Sequence, residues 1–79
     1  MVQLISELEK LGFTIDEAGY YISTSAKTGE NVVIKFIEHY LECFQAETQL
    51  FSILYGDLSF ETLLILLNEF QIIQKFIKK

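Results

Sequence analysis

Apolar residues near the start of the chain recur at helical spacing. Leu4, Ile5, Leu8 and Leu11 fall on one side of a helix over about residues 2–11, and Gly12 stands where a left-handed residue ends such helices. Residues 13–19 read as a loop. Residues 20–25, Tyr-Tyr-Ile-Ser-Thr-Ser, are aromatic and β-branched and predict a short strand. Over 31–45, Val32, Val33, Phe36, Ile37, Tyr40, Leu41 and Phe44 form a broad apolar stripe, with Lys35, Glu38, His39 and Glu42 on the wet side. This predicts a helix, with Thr28 or Asn31 as its cap. A further helical stretch is expected at about 47–54, then a turn at Tyr55-Gly56-Asp57. Ser59 then caps a last helix over about 60–77, where Leu63, Leu66, Phe70, Ile73 and Ile77 alternate steps of three and four. Leu64 and Leu67 widen that seam, which favours burial against other helices. The expected fold is mainly α with one short strand, and that strand lacks a sheet partner.

Composition limits what such a chain can do. It has 79 residues, 51% of them hydrophobic, so it is at most one small domain and too apolar to be disordered. The net charge is −5 and there is no arginine. Nucleic acid is not expected as a partner, because phosphate neutralisation needs a basic face. Cys43 is the only cysteine, which excludes an internal disulfide and a cysteine metal site, and places it as an ordinary residue of the 31–45 helix in a reducing, cytoplasmic setting. His39 is the only histidine and reads as solvated. Asp16-Glu17 reads as a solvated loop or helix start, and no neighbouring group suggests acid–base chemistry. The longest apolar run, 63–67, is far short of the roughly 20 residues of a transmembrane helix. The lysines at 75, 78 and 79 fit a helix C-terminus complementing its dipole.

One stretch stands out: Thr24-Ser25-Ala26-Lys27-Thr28-Gly29-Glu30-Asn31-Val32. Placed after a strand and before an amphipathic helix, it resembles the last nucleotide-binding element of Ras-superfamily GTPases, and its fuller wording resembles the Rab branch. The resemblance covers roughly residues 2–45 and lapses from Ala46 onward. It implies that the Ala26 amide donates to the guanine carbonyl oxygen, that Ser25 braces the loop by hydrogen bonding, and that Lys27 lines the base edge. The same residues also read as a polar strand-to-helix turn, with Thr28 as cap and Gly29 easing the bend.

Much of a GTPase is missing from this sequence. No phosphate loop Gly-x-x-x-x-Gly-Lys-Ser/Thr occurs, nor an Asn-Lys-x-Asp element. Residues 1–45 are therefore expected to be the C-terminal portion of a G domain, an α/β fold, and 46–79 a helical extension. The leading expectation is a truncated Rab-like GTPase with nucleotide-binding residues Ser25, Ala26 and Lys27, no catalytic or metal-binding residues, and no hydrolysis alone. GTP or GDP with magnesium belongs to the parent family. This chain alone would hold no cofactor and would meet guanine nucleotide only if the missing half were supplied. The competing expectation is a small helical module with no nucleotide function, which binds a protein partner or itself through its apolar helices.

Overall fold

The computed structural model describes residues 2–73. Five strands form one antiparallel meander: β1 (Thr14–Ile15), β2 (Tyr21–Thr24), β3 (Asn31–Phe36), β4 (Tyr40–Gln45) and β5 (Thr48–Leu54), side by side in chain order. Helix α1 (Val2–Lys10) precedes them and α2 (Phe60–Glu69) follows, after a 3₁₀ turn at Tyr55–Asp57. More of the described residues lie in strands than in helices, so the mainly α expectation is corrected. The partial G-domain architecture goes with it, because that fold needs a parallel sheet with crossover helices.

The largest correction concerns 31–45. It is not a helix but the hairpin β3–β4, with Ile34 opposite Cys43 and Lys35 opposite Glu42. The expected helix at 47–54 is β5, so 46–79 is no separate helical extension. Residues 45 and 48 instead face each other across a tight turn inside the sheet. The sequence pattern fitted both periods. Val32, Ile34 and Phe36 of β3 alternate with Asn31, Val33 and Lys35, and burial follows that alternation from Asn31 to Lys35. The dense β-branching of Val32, Val33 and Ile34 favours the strand.

Other elements lie close to where the sequence put them. α1 ends one residue early and Gly12 follows at φ 105, a conformation open to glycine at no cost. The strand expected at 20–25 is Tyr21–Thr24, now with partners on both sides. Ser59 caps α2, its side chain accepting from the Thr62 amide. α2 stops at Glu69, well before 77, in a Schellman motif. Gln71 takes the left-handed position at φ 61, its amide donates to the Asn68 carbonyl and the Ile72 amide to the Leu67 carbonyl. Positions 74–79, including Ile77 and the terminal lysines, lie outside the described residues.

The strand register decides which side of the sheet is covered. Tyr21, Val32, Ile34, Leu41, Cys43 and Ile53 all point to one face and are buried there with Leu4 and Leu8 of α1 and Leu63 and Leu67 of α2. Both helices therefore pack on the same face. Each valine, leucine or isoleucine among them contributes about 1.5–3 kcal/mol on burial. Tyr21 and Phe36 meet edge to face at 5.8 Å within this layer. A β-bulge at Leu50 lets both Leu50 and Phe51 reach the core, and Phe51 stacks on Phe70 beyond α2. Neither described helix covers the opposite face of the sheet.

Candidate functional site

The three sequence-predicted site residues lie together in the turn joining β2 to β3, so the loop joins strand to strand rather than strand to helix. Ser25 and Glu30 close it, the Ser25 amide donating to the Glu30 carbonyl. Four residues lie between them, ending with Gly29 at φ 78, the left-handed position that such loops need. Ser25 is almost wholly buried, and its Oγ accepts from the amides of Lys27 (3.2 Å) and Thr28 (3.3 Å). Thr28 is no helix cap. Its Oγ1 accepts from the Glu30 amide inside the turn.

Ala26 is where the nucleotide expectation meets its main obstacle. Its N–H, the donor that the family resemblance aims at a guanine oxygen, donates to the carbonyl of Ile72 at 2.8 Å. That bond fastens the turn to the residue closing α2. Lys27 is exposed, and among the described residues its side chain makes no ion pair. Ser25, Ala26 and Lys27 thus stand together; the Ser25 hydroxyl braces the turn, and the Ala26 amide is taken by the Ile72 carbonyl.

A cleft of about 520 Å³ opens between α1 and the start of α2, lined by Gln3, Leu4, Glu7, Tyr55, Leu58, Ser59 and Phe60. Most of its polar groups are already engaged. The Ser59 hydroxyl caps α2, the Tyr55 hydroxyl donates to the Ile37 carbonyl, and Glu7 lies 3.7 Å from Lys10. Among the described residues no group of three or more histidine, cysteine or acidic side chains could hold a metal ion. Cys43 is fully buried, and burial pushes its thiol up to about 12, which leaves it protonated and unreactive. His39 sits exposed in the β3–β4 turn, where, among the described residues, only its backbone carbonyl is engaged, by the Tyr55 amide.

The uncovered face of the sheet is the least expected feature. Ile22, Val33, Lys35, Tyr40, Glu42 and Phe44 lie on it, all half-buried, with Leu54 exposed at its margin. The Lys35 ammonium lies 4.9 Å from the Tyr20 ring centre and 4.7 Å from that of Phe44. Each such contact is worth about 0.5–1 kcal/mol at an exposed site and holds the lysine flat across the sheet. A hollow of about 390 Å³ adjoins it, lined by Tyr20, Val33, Lys35, Phe44, Ala46 and Glu47. Lys35 stands directly opposite Glu42, so the centre of the patch carries both signs of charge. The helical reading of 31–45 kept Val33, Tyr40 and Phe44 together on its apolar stripe but put Lys35 and Glu42 on the wet side. The signal that would have found them is the alternation Val33, Lys35 against Val32, Ile34 and Phe36. No helix of the described residues is long and apolar enough to cross a membrane.

Comparison with protein-family models, with curated proteins and with solved structures gives no match to this chain.

Proposed function

We propose that this chain is a small protein-interaction module with no nucleotide function, and that it engages its partner through the uncovered face of the sheet. The observation that carries the reading is the band Tyr20, Val33, Lys35, Tyr40 and Phe44 on a face that no described element covers. Aromatic residues are enriched at interfaces, where rigid rings give large contact area at low entropic cost. The paired signs of Lys35 and Glu42 would set orientation rather than strength. The partner surface is apolar at its centre, with an acidic and a basic group placed to meet Lys35 and Glu42. A reducing cytoplasmic setting accords with a lone thiol serving as a core residue.

This reading moves the interaction surface from the helices to the sheet. The apolar stripes of α1 and α2 are already spent on the core through Leu4, Leu8, Leu63 and Leu67. Guanine recognition is not carried forward, since the Ala26 donor it needs is engaged by Ile72.

A photo-crosslinking amino acid placed at Phe44, and separately at exposed Glu17 in the β1–β2 turn, tests the proposal in the cell of origin. Discrete adducts from position 44 and none from position 17 are expected. Identical adducts from both sites, or none from position 44, would overturn it.

A further inference from the structure

The two edges of the sheet are unlike. β1 is two residues long, whereas β5 runs for seven, Thr48–Leu54, and has no strand beyond it among the described residues. Antiparallel pairing alternates, so only every second residue of β5 bonds to β4. The Tyr55 amide donates to the His39 carbonyl, which fixes the phase: Ile53 and Phe51 bond inward to Leu41 and Cys43. Ser52 and Leu54 therefore direct their N–H and C=O groups outward. Among the described residues no hydrogen bond outside the β4 ladder involves positions 48–54.

Proteins usually guard such an edge with a charge or a proline. Thr48-Gln49-Leu50-Phe51-Ser52-Ile53-Leu54 contains neither, although the chain as a whole carries a net charge of −5. The only irregularity is the bulge at Leu50, which leaves the stretch 51–54 regular. Ser52 is small and exposed, and Leu54 is 58% exposed, so among the described residues no bulky or charged group stands before the outward backbone groups.

We infer that two copies of this chain pair antiparallel along β5 and form one ten-stranded sheet. The second copy is the occupant that the edge fits, because an antiparallel strand pair about a twofold axis is self-complementary. An uncharged edge on an otherwise acidic chain is where two copies can meet without like charges opposing each other. With Ser52 at the axis, Ile53 of one copy lies beside Phe51 of the other, so the cores of the two copies run on across the junction. The uncovered face stays free and doubles in extent, so this inference stands apart from the interaction reading above.

Sedimentation equilibrium of the full chain over a wide concentration range tests it, alongside Ser52→Pro. Proline at Ser52 removes an outward donor and leaves the β4 ladder untouched. The expected result is a reversible doubling of mass with concentration, weakened about tenfold or more by Ser52→Pro. Phe44→Thr, on the free face, leaves the doubling intact. Amide exchange of the unaltered chain guards against misfolding of the proline variant. The amides of Ser52 and Leu54 exchange fast when dilute and slowly when concentrated. A single-copy mass throughout, Ser52→Pro associating like the parent, loss of doubling in Phe44→Thr alone, or protection at every dilution would overturn the inference.

Discussion

Replacing Ser25 with alanine separates a structural role from a recognition role at the turn between β2 and β3. Its Oγ accepts two backbone amides, from Lys27 and Thr28, and the side chain is only 3% exposed. The substitution deletes both bonds and leaves a cavity the size of one oxygen atom. Two facts limit the damage. Both bonds, at 3.2 and 3.3 Å, are at or beyond the long end of the usual range. Lys27 and Thr28 are themselves exposed, so their amides can turn to water. The closest analogue is loss of a serine cap, which costs about 0.5–2 kcal/mol. An expected loss of about 1 kcal/mol lowers the melting midpoint of a domain this size by roughly 4–8 °C. Urea denaturation of the variant beside Lys27→Ala measures it, and Lys27→Ala should lie within about 0.5 kcal/mol of the parent, as surface changes do. The same samples titrated with GDP should show no saturable binding. A Ser25→Ala chain as stable as the parent, or GDP binding that vanishes on this substitution, would refute the structural assignment.

Gln71→Gly should stabilise the chain by about 1 kcal/mol, since Gln71 holds the left-handed position at φ 61 that costs non-glycine residues about 1–2 kcal/mol, part of it offset by glycine's freer unfolded state. A lower urea midpoint for Gln71→Gly would count against the Schellman reading. Tyr55→Phe removes the hydroxyl that donates to the Ile37 carbonyl, and should cost about 0.5–1.5 kcal/mol with fastest amide exchange around the β3–β4 turn. Unchanged stability would show that bond to be idle. Cys43 gives a pH dependence. A thiol raised on folding to about 12 favours the folded state while the unfolded thiol is still protonated, below its ordinary value of about 8.5, and that advantage is lost as pH rises toward 12. Stability of the parent should therefore fall more steeply than that of Cys43→Ala over that alkaline window, and a thiol reagent should label Cys43 no faster than the chain unfolds.

The parts legible from sequence are those whose local chemistry has one meaning. Gly12 after Leu4, Leu8 and Leu11 ends a helix, Ser59 before Thr62 starts one, and Tyr-Tyr-Ile-Ser-Thr makes a strand. The region 31–54 was illegible for a specific reason. Its two hairpin turns carry no glycine, proline or asparagine. Ile37-Glu38-His39 joins β3 to β4, and Ala46-Glu47 joins β4 to β5, with Ala46 at φ 56 where glycine or asparagine is usual. Without those marks, two six-residue strands read as one fifteen-residue helix. Val32, Val33, Phe36, Ile37, Tyr40, Leu41 and Phe44 fit the helical stripe because a sheet with an apolar band on both faces places large residues at nearly every position. Ile34 is the dissenting position: it is fully buried, yet it falls past the edge of the helical stripe.

The loop 24–32 shows how one set of residues can answer to two architectures. Serine, threonine and glycine serve a nucleotide loop because they hydrogen-bond backbone amides and permit a left-handed step. A four-residue hairpin turn needs the same two services. Ser25 receives amides, Thr28 receives another, and Gly29 makes the left-handed step. The feature that separates the two architectures is long-range: what the Ala26 amide faces. A small side chain there lets a base approach in one case. In the other it lets the carbonyl of Ile72 approach to 2.8 Å, and α2 is pinned to the far end of the β2–β3 hairpin. That choice depends on where α2 ends, some forty residues downstream, and so on the Schellman turn at Gln71 rather than on any residue of the loop.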